Sequence, residues 1–476
     1  MIHSKSTVDD SPPRWRRYTW RFLWLLLFLA MVAGGRAWYL YSRSNSALQK
    51  AIDATAAADP RWRIEDIIAD WPAIPDDKNS ALVVLAGNQL IDQSKKTLPN
   101  DDEDNEPPPP NCQMNEAQLK RLAADLAPYE KAVVEYRKIA SLPSGTYPMA
   151  GVPTTSSLLF RSSPIRESSM ALRNDLWHRL IANDDLGAAI ALKAAINVPC
   201  SLGDEAFAIT VMVRGATLRI AIDCLERWLG MSQPSDAVLA EVQQMLEREA
   251  ADPIMLRCAR AERAFAFFTT GDIPATMPKP TNPWEAIQRT FEMTFTAPGF
   301  IAEQQTAILT HMNAFVAVTQ SPQGKFHTQL LLWQTAANNS PVLMKLIVPA
   351  VMKTVEAIQK AKARTQCAIV AIAAERFRRQ HGQWPTTLDE LVKAKLISAV
   401  PIDPFDCQPL QWKIVPEGRV IYPIGNDKLG DSLGPVTSAK NDRMTIEFRL
   451  YDPDKRRLPP RPPKSKSTSD EQKVEP

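Results

Sequence analysis

Between Phe22 and Gly35 the chain carries fourteen residues without a charge (FLWLLLFLAMVAGG), and beyond Arg36 the apolar character resumes through Ala37-Trp-Tyr-Leu-Tyr41. At ~1.5 Å per residue the first run covers roughly 21 Å, short of a ~30 Å hydrocarbon core, whereas residues 22–41 reach roughly 30 Å. Residues 22–41 therefore read as a transmembrane helix, with Arg36 near enough to one end for its side chain to reach the headgroups. Trp20 and Trp24 on one side, and Trp38, Tyr39 and Tyr41 on the other, stand where interfacial aromatics concentrate. A cleaved signal peptide is the competing reading, because basic residues, an apolar stretch and the small residues Ala33-Gly34-Gly35 fit that pattern too. The aromatics that follow the small residues favour the anchor. Lys5, Arg14, Arg16, Arg17 and Arg21 precede the segment, and only Arg43 and Lys50 closely follow it. The positive-inside rule then keeps the basic segment 1–21 cytoplasmic and sends the rest across the membrane. Either reading exports the body.

Charge distribution limits what that body can bind. The net charge of the 476 residues is +3; residues 1–50 contribute +6 and residues 452–476 contribute +2, which leaves −5 for the remainder. A mildly acidic body with basic ends is a poor partner for nucleic acid. Cys112, Cys200, Cys224, Cys258, Cys367 and Cys407 form no CxxC or close Cys/His spacing, so a structural zinc site is not expected. Of these, Cys224 and Cys258, on neighbouring predicted helices, are the pair to test for a disulfide.

Apolar residues recur at three- and four-residue spacing from residue 46 onward, which predicts helices over 46–57, 79–93, 116–142, 166–197 (as two), 203–231, 235–251, 254–270, 284–318, 325–338 and 342–380. No fixed period emerges, so a regular helical repeat is rejected. The expected organisation is a helical segment 42–96, a disordered acidic and proline-rich linker 97–115, a helical body 116–340, a long helix with an α+β module over 341–451, and a disordered tail 452–476. Within the module, Gly382 reads as a helix C-cap and Thr387-Leu-Asp-Glu390 as a capping box. Gln411–Val415 and Val420–Ile424 flank Pro416-Glu-Gly-Arg419 as a hairpin. Met444, Ile446, Phe448 and Leu450 alternate with polar neighbours as a third strand with one buried face. The fold class is thus mainly α, with an N-terminal transmembrane helix, an irregular multi-helix body and a small C-terminal module carrying a three-stranded antiparallel sheet.

Residues 375–434 resemble the globular end of type II secretion major pseudopilins. The shared order is a glycine ending a long helix (Gly382), a Trp384-Pro385 corner, a short helix (Leu388–Val392), Pro401-Ile-Asp403-Pro404-Phe405, a hairpin and an acidic glycine loop from Gly425-Asn-Asp427 to Asp431. The resemblance implies a calcium ion held in that loop, with Asp427 and Asp431 as its carboxylates. It covers about sixty residues, and residues 17–27 lack the cleavage glycine and the early glutamate of a pseudopilin. Cys407 stands where a glycine is usual and Pro423 where a serine is. A grafted module therefore fits better than a filament subunit. The stretches 59–67 (DPRWRIEDI), 79–90 (NSALVVLAGNQL), 201–216 (SLGDEAFAITVMVRGA) and 256–266 (LRCARAERAFA) further resemble a group of large, single-anchor bacterial envelope proteins without an assigned activity. That likeness implies a bacterial inner membrane, a periplasmic body and envelope or secretion proteins as partners.

For chemistry, Asp204, Glu205, Arg214 and Glu262 are the group to weigh. Paired carboxylates serve acid–base catalysis, yet Glu205 and Arg214 lie nine positions apart, on opposite faces of one continuous helix. Each then needs a partner from another helix, and Glu262 and Arg263 are the expected ones. That arrangement reads as a structural ion-pair cluster, with a catalytic dyad as the alternative. The five histidines form no HExxH, and GxSxG, GxGxxG and Walker A sequences do not occur. The expected function is a non-catalytic envelope scaffold or secretion accessory; the alternatives are a periplasmic enzyme with a site assembled between helices and an atypical pseudopilin.

Overall fold

The computed structural model describes residues 14–96, 107–149, 151–276, 280–291, 299–424 and 446–461. In chain order the helices are α1 (Arg14–Ala58), α2 (Ile64–Ala69), α3 (Ser80–Gln89), α4 (Glu116–Leu126), α5 (Glu130–Tyr136), α6 (Thr155–Ile181), α7 (Asp185–Asn197), α8 (Ala208–Met231), α9 (Asp236–Ala251), α10 (Ile254–Thr276), α11 (Pro283–Phe291), α12 (Phe300–Thr319), α13 (Gln323–Asn338), α14 (Val342–His381) and α15 (Asp389–Lys393). The strands β1 (Gln411–Val415), β2 (Gly418–Tyr422) and β3 (Phe448–Tyr451) form one antiparallel sheet in the order β1-β2-β3. The chain is thus mainly helical, with a small sheet near its C-terminal end. It divides into two compact units, and the division does not follow the sequential order expected from composition.

The first unit comprises the chain up to Trp62 with Arg263–Ala314 and Thr335–Leu346. Its leading element, α1, is long and apolar enough to cross a membrane. Phe22 to Phe28 are bare on every side, whereas Ala37 is buried and Thr55 is fully covered. The C-terminal end of α1 is tied into the unit by a buried polar chain. Arg263 donates to Asp59 and, at 3.0 Å, to Asn313 Oδ1, and the Asn313 amide donates to Thr55 Oγ1 at 2.7 Å. Trp62 meets the ring of Phe267 edge-on at 4.9 Å. The stretches 59–67 and 256–266 therefore touch through Asp59 and Arg263, and Trp62 meets Phe267 just beyond the second of them.

The second unit holds Arg63–Glu262, Phe315–Gln334 and the chain from Ile347. Its core is built on α6, α7 and α8, through residues such as Leu172, Leu176, Ala191, Leu192, Leu225 and Trp228. The second apolar helix of the chain, Asp185–Leu202, is mostly buried here, so its hydropathy is that of a core helix. The same core runs without a break through Ile372 and Phe377 of α14 to Leu391, Leu410, Ile421, Phe448 and Leu450. The α+β module is therefore packed into the helical body rather than appended to it.

Several expectations are corrected. Disorder is expected over 97–115; residues 97–106 lie outside the described residues, but in the remainder Asn111, Cys112 and Met114 are buried. The proline-rich part offers free carbonyl oxygens, and the buried Arg227 takes those of Pro108, Pro109 and Cys112. Disorder is expected over 452–476; residues 462–476 lie outside the described residues, but before them Leu458 pairs with Cys112, Asn111 donates to Lys455 O at 2.8 Å, and Arg456 is 8% exposed. α6 begins at Thr155 and contains Pro164, where composition had placed a connector. α8 starts at Ala208 rather than 203, and the stretch 284–318 is two helices. The hairpin closes through Pro416-Glu417, with Val415 opposite Gly418. All four residues of β3 are buried, because its second face meets α8 and the tail. Met444 lies outside the described residues. The capping box at Thr387 does not form; Glu390 instead accepts the Thr386 N–H at 3.2 Å. Gly382 does end α14, at φ +75°. Cys407 sits at φ +64°, the left-handed region that glycine adopts most easily. Cys224 and Cys258 are both free thiols.

Candidate functional site

Gly203 places the suspected residues. It follows a 3₁₀ turn (Pro199–Leu202) and has φ +56°, and a Cβ on it would lie 2.2 Å from the carbonyl oxygen of Gly145. Only glycine satisfies both demands. Asp204 completes a turn in which the Glu205 N–H donates to the Leu202 carbonyl at 3.1 Å, and α8 opens at Ala208, so these two acids precede the helix that carries Arg214.

Arg214 is the centre of an ionic cluster where α8 crosses the junction of α9 and α10. Its guanidinium forks onto Glu249, with Nε to Oε1 at 3.0 Å and Nη2 to Oε2 at 2.7 Å, and reaches Asp252 at 2.8 Å. Arg257 binds both Asp252 and Asp204. Burial opposes the charge on Arg214, but Glu249 and Asp252 outweigh it and raise the guanidinium pKa. Cys200 lies against Glu249 at 3.6 Å. Burial and that carboxylate push its thiol up to about 12, which leaves it without a nucleophilic thiolate at neutral pH.

The four residues singled out from sequence are not one site. Asp204 and Arg214 belong to the cluster, linked through Arg257 and Asp252. Glu205 turns elsewhere and binds Arg161 at 2.6 Å, while its Oε1 has no hydrogen-bond partner. Burial outweighs Arg161 and raises the Glu205 pKa. Glu262 accepts the Ala208 N–H at 2.7 Å, and burial, only partly offset by that bond, raises its pKa. The partners expected from Glu262 and Arg263 are instead Arg161, Glu249 and Asp252. Glu249 and Asp252 were missed because α9 ends, and its last turn projects acids, at a place set by packing alone. Asp427 and Asp431 lie outside the described residues, and among those described no group of three or more His, Cys, Asp or Glu is placed to hold a metal ion.

Arg214, Glu249 and Asp252 form a wall shared by two clefts. On one side is a polar recess of about 200 Å³ with Asp204, Arg248 and Arg257. On the other is a groove of about 370 Å³, lined by Val211, Leu218, Met255, Phe326 and Ile358 with Gln359 and Lys362 among them. Pro404, from the Pro-Ile-Asp-Pro-Phe corner, closes its end; His327 contacts the Pro404 carbonyl at 2.8 Å and the Gln359 amide donates to it at 3.3 Å. The cations and carboxylates of the wall are spent on one another, so the groove meets a neutralised polar end rather than an acid facing a base. Comparison with family models, with curated proteins and with solved structures finds no match to this chain.

Proposed function

We propose that this chain is a membrane-anchored protein whose body, on the periplasmic side of a bacterial inner membrane, works through protein contacts as an envelope scaffold or an accessory of a secretion or filament system. The observation that carries the reading is the contrast within α1: bare apolar residues over its first part and a buried polar tie, Thr55 and Asp59, at its end. A helix of that kind couples an anchor to a folded unit without a flexible joint. The pseudopilin-like order of Gly382, Trp384-Pro385, Pro401–Phe405 and the hairpin supports a secretion-type partner, with the module as the contacting end. An enzyme built on Asp204, Glu205, Arg214 and Glu262 is less well supported, because these fall in three separate settings.

Crosslinking the intact protein in its native membrane and identifying what co-purifies by mass spectrometry tests the proposal. Recovery of a secretion ATPase, its membrane platform or a pseudopilin supports it. A crosslinked sample with none of these removes the secretion reading, and a mature N-terminus beginning beyond residue 35 removes the anchor.

A further inference from the structure

α11 is a nine-residue helix fixed by its own capping groups. The Asn282 side chain accepts the Glu285 N–H at 2.8 Å, and the Glu285 carboxylate takes both the N–H and the hydroxyl of Thr281 at 2.7 Å. Pro283 occupies the first helical position, where its missing N–H costs nothing. On this helix Trp284 is 73% exposed and Ile287 60% exposed. Trp284 and Ile287, three positions apart, fall within an arc of about 60°, and Glu285, Gln288 and Thr290 occupy other positions. Glu285 and Arg289 cancel in charge. A short neutral helix with a tryptophan in a narrow apolar stripe suits the boundary between headgroups and acyl chains.

The chain path selects lipid over a protein partner. The next described residue after α11 is Gly299, whose backbone sits so close to α1 that a Cβ would stand 2.7 Å from Ser44 Cβ and 3.4 Å from the Leu40 carbonyl oxygen. Leu40 to Ser44 is the level at which the apolar run 22–41 ends. The eight steps from Phe291 to Gly299 span at most roughly 28 Å, so the end of α11 stays within that reach of the level at which the anchor leaves the membrane.

We propose that α11 is a second membrane contact, lying in the bilayer interface near the exit of α1 with Trp284 and Ile287 turned into lipid. This rests on the anchor reading of α1. The test is the full-length protein reconstituted in phosphatidylcholine–phosphatidylglycerol vesicles that contain a lipid with a photoactivatable group near the top of its acyl chain, with adducts mapped by mass spectrometry. Adducts are expected on residues 22–41 and on residues 283–291. W284S/I287S should cut the yield on α11 about ten-fold and leave that on residues 22–41 unchanged, which also reports that the variant is folded and inserted; W284F/I287L should retain both. Adducts confined to residues 22–41 in the unmodified protein overturn the proposal and leave the anchor standing. Crosslinks from α11 to a second copy or to another protein, in place of lipid, overturn it as well. Adducts at neither segment overturn the anchor and this proposal together.

Discussion

Arg456 places its guanidinium on the fully buried carboxylate of Glu375, with contacts of 2.7 and 3.1 Å, and Arg378 grips the same carboxylate at 2.7 and 3.0 Å. Burial works against the Glu375 charge, but the hydrogen bonds and charges of the two arginines overcome it and hold the pKa below the ordinary glutamate value of 4.5. Arg456→Met leaves half of that compensation and should destabilise the second unit by about 3 kcal/mol. A depressed acid contributes stability that is present above its unfolded pKa and lost as pH falls through its folded value. Denaturant unfolding of the parent should therefore lose stability on acidification below pH ~4.5 more steeply than the variant does; parallel curves would count against the pairing.

Glu226 behaves oppositely. Burial first, then the nearby negative charges of Asp223 and Glu447, push its carboxyl up to about 8, against relief from Arg449. The folded state then holds a proton that the unfolded state releases near 4.5, so this residue costs stability progressively from pH ~4.5 to ~8. Glu226→Gln should raise the melting temperature little at pH 5 and more at pH 8.5. A gain independent of pH would show that Glu226 is ionised throughout.

Substitutions at Arg214 separate a structural role from a catalytic one. Arg214→Met strands Glu249 and leaves Asp252 with Arg257 alone, and should cost about 3–5 kcal/mol. Arg214→Lys should recover less than half of that, because an ammonium cannot fork onto Glu249 while also reaching Asp252. Full recovery of melting temperature by lysine would mean that charge alone is required.

Among the thiols, Cys200, Cys224 and Cys367 are pushed up by burial, to about 12 for the first two and beyond for the third. Cys407 is partly exposed at a strained backbone position. Native-state alkylation at pH 8 should label Cys407 first, the half-buried Cys200 more slowly, and the buried Cys224 and Cys367 only on unfolding. Early labelling of Cys224 would reveal local opening of α8.

Helix existence was legible because it is local: the spacing of apolar residues placed most helices within a few positions, and the hydropathy of residues 22–41 identified α1 before any fold was known. What escaped were features decided by distant groups. The linker around Pro108 and the tail around Arg456 look solvated by composition, yet each supplies the backbone or side-chain polar group that a buried partner, Arg227 or Glu375, requires. The ionic site failed in the same way. Sequence distance put Glu205 and Arg214 on one helix, but the left-handed Gly203 ends that continuity, and the true partners Glu249 and Asp252 come from the close of α9.

The pairing of Cys112 with Leu458, and of Asn111 with the Lys455 carbonyl 344 positions away, has a consequence for how the protein comes into being. A chain emerging from its N-terminal end has completed α6, α7 and α8 long before Arg456 and Leu458 exist. Glu375 therefore waits, desolvated only in part, until Arg456 has been delivered, and closing so large a loop is slow. Maturation of the second unit accordingly waits for residues 455–458, and a nascent chain halted short of residue 452 should remain a substrate for chaperones and proteases.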